Sequence, residues 1–178
     1  MLKLFGRLVY LAAMERIDCK KVWEDFEYDF SNCAEPLNIG HSIEKADKWF
    51  DEIQKAQGNT DIRLGIFLPD DTIIGDVALQ GIDYKNRSAS IGMGIAKIEN
   101  RNKGYGKDAM TVMLEYGFNN VGIERITANT LEINIPAQKV LEKSGFVLEG
   151  KARRSVYFGG RKYDKLNYGI LIEEYKAR

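Results

Sequence analysis

The stretch "RNKGYGKDAM", residues 101–110, sets two glycines one residue apart among basic and polar neighbours, just ahead of a run with helical spacing. Glycine loses more conformational freedom on folding than any other residue, so a pair of them at a helix start needs a reason. Without Cβ atoms the backbone can meet a ligand directly, and the unpaired N–H groups of a helix N-terminus favour anionic oxygens. The stretch reads as a phosphate cradle, and three kinds of cradle compete for it. A Walker-type loop needs Ser or Thr after Gly106-Lys107 to reach magnesium, and Asp108 stands there instead, which excludes that reading. "GYGKDA" fits a loose dinucleotide pattern, but the polar "AKIENRNK" parts it from the preceding strand and three antiparallel-looking strands come first, against a Rossmann unit. What remains is a strand-loop-helix site that runs from Ile91 through "ENRNKGYG" into the helix.

The rest of the chain sets that site in one compact unit. Its 178 residues suit a single domain, residues 1–178, with enough length to bury a core without staples. The 26 basic and 26 acidic residues cancel, so no global field points to nucleic acid or an anionic membrane. Cys19 and Cys33 are too few for a disulfide framework, and with His41 as the one histidine there is no paired spacing for a metal. A reducing cytoplasm is the expected compartment. Lys3 and Arg7 precede an apolar run from Leu8 to Met14 that loosely resembles a signal peptide, but Glu15 and Arg16 follow at once, and the run reads better as a first strand.

Periodicity orders the elements as β-α-α-β-β-β-α-β-α-β-β. Ile17 to Tyr28 and Ser42 to Gln57 have helical spacing, the second with Ser42 as its cap. "DIRLGIFL", "TIIGDVALQGI" and "SASIGMGIA" alternate as a meander, with turns at Pro69-Asp70-Asp71 and from Asp83 to Arg87. Met110, Met113, Leu114, Gly117, Phe118 and Val121 form a helical stripe that ends near Gly122. After the strand "ERITANTL", Asn134 caps a helix with Pro136 in its first turn and Gly145 at its end, with Ala137, Val140 and Leu141 turned inward. "FVLEGKARRSVYFGG" and "RKYDKLNYGILIEEY" close the chain as a hairpin about Gly159-Gly160.

"RNKGYG" matches the signature Gln/Arg-x-x-Gly-x-Gly/Ala of the GNAT superfamily of N-acetyltransferases, and its neighbours resemble the ribosomal-protein-alanine acetyltransferase-like (RimJ/RimL-type) branch. "LVYLAAM", "IGMGIA", "NIPAQKVLEKSGF" and the terminal "YFGGRKYDKLNYGILIEEY" recur in that order, most densely from Ile91 to Gly150. The resemblance implies an α/β fold, α+β by some schemes: a mixed, mostly antiparallel sheet of about seven strands, splayed between the fourth and fifth and flanked by about four helices. It implies acetyl-CoA as co-substrate, no metal, and transfer of the acetyl group to a primary amine (a protein N-terminus, a polyamine or another small amine) in a ternary complex. Monomers and homodimers are both common among such proteins.

The resemblance also assigns positions. The pantetheine arm would lie along the main chain of Met93, Gly94 and Ile95, with Gly92 and Gly94 suited to a bulge or a close approach. The pyrophosphate would sit on Arg101, Asn102, Lys103, Gly104, Tyr105, Gly106 and Lys107, the side chains of Arg101 and Lys103 being either ligands or merely solvated. Asn134 would meet the pantetheine arm besides capping its helix, with Lys139 and Lys143 toward the nucleotide end. The Ile95 N–H is the oxyanion donor by analogy. Two family groups are missing: the tyrosine acid is replaced by Leu141 and the glutamate base by Ser90. Tyr157, Ser144 and His41 are candidate substitutes, each with a plain alternative as a packed aromatic, a helix-end residue and a structural histidine. The acidic, aromatic run "WEDFEYDF", Trp23 to Phe30, would either wall an acceptor pocket or pack and solvate a helix. With acid and base both missing, a module that binds acetyl-CoA without turnover stays open beside the enzyme.

Overall fold

In a computed structural model that describes residues 2–28 and 42–177, eight strands form one sheet in the order β1-β2-β3-β4-β5-β6-β8-β7. The strands are β1 (Lys3–Phe5), β2 (Tyr10–Ala12), β3 (Ile62–Phe67), β4 (Ile73–Asp83), β5 (Ser88–Ile95), β6 (Arg125–Leu131), β7 (Val147–Phe158) and β8 (Arg161–Leu171). Every neighbouring pair is antiparallel except β5 and β6. The helices are α1 (Arg16–Glu24), α2 (Glu44–Ala56), α3 (Tyr105–Tyr116), α4 (Ile135–Ser144) and α5 (Ile172–Lys176).

Alternation along the strands produces two cores. Leu11, Ile66, Val77, Leu79, Ile91, Ile126 and Ile170 turn to the face covered by α3, where Met110, Met113, Leu114 and Phe118 meet them. Tyr10, Ala12, Phe67 and Ile73 turn to the other face, against Cys19 and Val22 of α1 and Ile53 of α2. The helical stripe read from Met110 onward ends in one π-type turn, Gly117–Val121, before Gly122 reverses the chain at φ 79°. Phe118 in that turn packs at a tilt against Tyr175 of α5, ring centroids 5.0 Å apart.

Several details differ from the sequence reading. The first strand expected from Leu8 to Met14 is β2, shortened to Tyr10–Ala12, and an additional strand, β1, precedes it across a turn at Gly6–Val9, which raises the strand number to eight. The turn is closed by the Gly6 N–H on the Val9 carbonyl at 2.8 Å, and it is anchored from the middle of the sequence. The Asp108 carboxylate accepts the N–H groups of Arg7, Leu8 and Val9 at 3.1, 2.7 and 3.1 Å, and a Cβ on Gly6 would collide with it. The residue that excluded a magnesium loop thus ties the N-terminal hairpin to the start of α3. Ser42 does not cap α2; Ile43 occupies that place, with no side-chain bond. The end of the last strand is helical, α5, since Glu174 accepts the Leu171 N–H at 2.8 Å and starts a helical turn. Asn134 and Gly159-Gly160 behave as their chemistry dictates: the first accepts the Ala137 N–H at 3.1 Å, and both glycines of the second have positive φ.

Replacing Asp108 by Ala strands three N–H donors around a turn that is partly buried, so Asp108→Ala should lower unfolding free energy by about 1–3 kcal/mol. Urea denaturation followed by far-UV circular dichroism measures this, and a loss below the resolution of the method would remove the anchor role.

Candidate active site

The parallel ladder between β5 and β6 lasts three pairs, Ser88 with Arg125, Ala89 with Ile126 and Ser90 with Thr127. Beyond Ser90, β5 keeps its register with β4 as far as Ile95, while β6 stays paired with β8 as far as Leu131 opposite Lys165. The two strands therefore diverge, each held by its outer neighbour, and a gap opens between them. These are the fourth and fifth strands of the sequence reading, renumbered because β1 precedes the first strand expected there. The Ala96 N–H donates to Ile74 on β4 at 2.9 Å, and alternation turns the main-chain groups of Met93 and Ile95 the other way, toward the gap. Of the bulge or close approach expected at Gly92 and Gly94, the bulge is not there, since the register runs unbroken from Ile95 opposite Gly75 to Ser90 opposite Gln80, whereas the main chains do come close, a Cβ on Gly75 colliding with the Gly94 carbonyl.

At the open end of the gap the chain enters α3. Asn102 and Gly104 have φ 61° and 89°, and this pair of left-handed residues aims the first turn of α3. The first intrahelical bond runs from the Asp108 N–H to the Gly104 carbonyl at 3.0 Å, so the N–H groups of Tyr105, Gly106 and Lys107 point out of the helix start. Gly106 lies under Met93, whose methyl carbon is 3.1 Å from where a Cβ would stand, and helix start and strand meet there. Lys103 and Lys107 are exposed here, and Lys139 and Lys143 are exposed on α4.

Arg101 has a different occupation from the phosphate ligand considered above. Its Nε donates to the Ile95 carbonyl at 3.1 Å, and one terminal nitrogen donates to the carbonyls of Ala96 and Glu27 at 3.1 and 2.7 Å. Glu27 is fixed in return by its own N–H on the Ala96 carbonyl and by the Ile98 N–H on its carboxylate, at 3.0 and 2.6 Å. The segment after α1 is therefore clipped to the end of β5. Asp25 in the same acidic run pairs with Lys21 and, at 3.6 Å, with Lys97.

The candidate acids and bases scatter. Tyr157 is 72% exposed near the hairpin tip, with β8 and β6 between its strand and β5, and it is not a packed aromatic. Ser144 is buried on the inward side of α4, and its hydroxyl has no hydrogen-bond partner among the described residues. Leu141, at the family's tyrosine position, is sealed in the core. Ser90, at the glutamate position, stands at the vertex of the gap and donates to the Gln80 carbonyl at 3.2 Å. His41, Asp29 and Phe30 lie outside the described residues. No group of three or more metal-ligating side chains exists among the described residues.

Sequence reading missed one ionic pair on the α1/α2 side of the gap. Asp76 of β4 and Arg63 of β3 form a salt bridge with side chains only 13% and 20% exposed. Burial pushes the Asp76 carboxyl above its ordinary value, against the opposing pull of the Arg63 charge. The guanidinium also faces the Trp49 ring, 5.8 Å from its centroid. A single charge in each of the apolar runs "TIIGDVAL" and "IRLGIF" was the available signal. Nearby Cys19 has no exposed surface, and burial, aided by the charges of Asp18 and Asp76, pushes its thiol up to about 12.

A family model described as "Acetyltransferase (GNAT) domain" matches residues 15–147. The chain belongs to the GNAT acetyltransferase family. As a GNAT domain it is an acetyl-CoA-dependent acyltransferase, and the gap between β5 and β6 is the family's characteristic splay. The uncharacterized N-acetyltransferase YnaD of Bacillus subtilis is 30% identical over 158 residues, 87% of this chain and 91% of that one. YdaF of the same organism, ribosomal-N-acetyltransferase-like, is 33% identical over 110 residues, 62% of this chain and 60% of its own length. Spermidine N(1)-acetyltransferase of Vibrio cholerae is 28% identical over 156 residues, 88% of this chain and 82% of that one. The solved Vibrio cholerae spermidine N-acetyltransferase with CoA and spermine superposes with a TM-score of 0.80 at 24% identity, over 95% of this chain and 98% of that one, a likeness of fold. Within this GNAT domain no helix among the described residues is long and apolar enough to cross a membrane.

Cys19 supplies a check on the packing beneath the site. In a Cys33→Ser background the folded protein should leave Cys19 unlabelled by iodoacetamide near pH 8 and label it fully in urea, as read by peptide mass mapping. Labelling of the folded protein would show that the α1 face is open.

Proposed function

We propose that this GNAT domain acetylates a protein N-terminus or a polyamine, with the donor laid along the free edge of β5 and its phosphates on the start of α3. The observation that carries this reading is the divergence of β5 from β6 directly below a helix start set by two left-handed residues. Met93, Gly94 and Ile95 would take the pantetheine arm as a neighbouring strand takes its partner. Asn102 to Lys107 would take the pyrophosphate on main-chain N–H groups, supported by the helix dipole, with Lys103, Lys107, Lys139 and Lys143 adding charge. The Asn134 side-chain oxygen is engaged in its cap, which leaves the amide nitrogen for the arm.

The chemistry asks for proximity, a proton acceptor and stabilisation of the oxygen that becomes negative as the amine adds to the thioester carbonyl. Ile95 suits the last task. Its carbonyl is occupied by Arg101, while its N–H faces the gap and no strand uses it. The polyamine class draws support from the spermidine-acetylating relative, and the N-terminal class from YdaF. The acidic run adds little to the first, because Asp25 and Glu27 already have partners.

Release of free thiol from acetyl-CoA, measured with spermidine, an alanine-starting peptide and small amines, should show turnover with at least one of them. Tight acetyl-CoA binding with no amine-dependent thiol would make the chain a binding module. Ile95→Pro removes one N–H that pairs with no strand, and beside the loss of core packing and of acetyl-CoA affinity that the Ile95 side chain and arm contact imply, turnover at saturating acetyl-CoA should fall by about 10²–10³. Unchanged turnover in that variant would place the oxyanion elsewhere.

A further inference from the structure

The side of β5 that looks toward α1 and α2 carries almost no side chain. Ser90, Gly92 and Gly94 alternate along it, and their partners on β4 are Gln80, Ala78 and Asp76. Neither glycine is required by its backbone: both lie outside the positive-φ residues, and the register beside them has no bulge. Packing among the described residues does not require Gly94 either, because a Cβ there would have one neighbour among them, an Asp76 carboxylate oxygen at 3.9 Å, in ordinary contact. At Gly92 the neighbour would be the Gln80 amide oxygen at 3.0 Å, the end of a flexible side chain. The glycines therefore leave a space, and that space adjoins a carboxylate.

Asp76 is poised on its border. One oxygen, Oδ2, is held by Arg63; the other, Oδ1, has no hydrogen-bond partner among the described residues and is the oxygen nearest to Gly94. An ion pair that served the fold alone would be expected to close on both oxygens and pack tightly. Asp76 lies opposite Gly94, next in the chain to Ile95, whose N–H faces the acyl side of the same strand. Among the described residues, the groups within electrostatic range are Arg63 from β3 and the Cys19 thiol from α1, while β5 contributes none.

We propose that Asp76 is the acceptor-side carboxylate of this enzyme: Oδ1 receives the acceptor's ammonium group above Gly94 and takes its proton, directly or through one water. The inference rests on the acetyl-transfer reading and supplies the base that Ser90 does not. The ammonium gives one proton to Asp76. The freed nitrogen lone pair forms the N–C bond to the thioester carbonyl, and the C–S pair leaves with sulfur. The second nitrogen proton passes to the thiolate, and Asp76 returns its proton to water. Arg63, backed by Trp49, holds the carboxylate in place and keeps it from being lost as a permanent neutral acid.

Asp76→Asn keeps the shape and the contact to Arg63 while removing the base. With the best amine of the panel, its kcat/KM should fall by about 100-fold or more, with the acidic limb of the pH-rate profile lost, while acetyl-CoA affinity stays as in the native protein. Asp76→Glu should restore part of the rate. Gly94→Ala fills the space without a clash, so it should raise the amine KM several-fold at unchanged melting temperature, and it decides the matter if Asp76→Asn fails to fold. Full retention of kcat/KM in Asp76→Asn, or an unchanged amine KM in Gly94→Ala, overturns the assignment. If the native protein turns over no amine, the acetyl-transfer reading fails separately. The carboxylate is then judged by binding: spermidine with acetyl-CoA present should raise the melting temperature of the native protein and not of Asp76→Asn, and equal shifts overturn it.

Discussion

Everything at the site follows from a ladder that stops. Sheet strands pair because buried main-chain groups need partners, and β5 and β6 give theirs up after Ser90 and Thr127. The strands can afford this because each keeps its outer neighbour, β4 for β5 and β8 for β6, through the whole length of the gap. The exposed edge of β5 is thereby rigid without being satisfied. A rigid, unsatisfied strand edge is a template for an extended polar chain, and a pantetheine arm with its two amides is such a chain.

The gap needs walls that do not drift, and these come from residues distant in sequence. Asp108 pins the β1–β2 turn to the first turn of α3, so the helix start that faces the gap shares a joint with the far edge of the sheet. Met93 packs on Gly106 from the strand side. The left-handed backbone at Asn102 and Gly104 is then over-determined from both sides, the condition under which such conformations persist at functional sites.

Features that depend on neighbours in the chain were legible: the Gly104 helix start, the Asn134 cap, the Gly159-Gly160 turn, and the meander with its turns. So were the departures at Leu141 and Ser90, since they are read by position. Features set by contacts across the sequence were not. Gly6 turns the chain because Asp108 waits about a hundred residues on, and Arg101 faces carbonyls because Glu27 is folded back beside β5. Asp76 was invisible for the same reason. One acidic residue in an apolar run means nothing until the register sets it against a glycine and an arginine arrives from the next strand.

Arg101 carries one more consequence. It is the first residue of the glycine loop, yet its guanidinium grips the carbonyl of Glu27, on the segment that follows α1, as well as the ends of two peptide units of β5. The glycine loop, the cleft strand and the segment after α1 thus meet in one side chain, like three beams bolted to a single plate. A displacement of any one must be transmitted to the other two, and by thermodynamic reciprocity whatever free energy one ligand spends or gains in adjusting that plate is felt by the other.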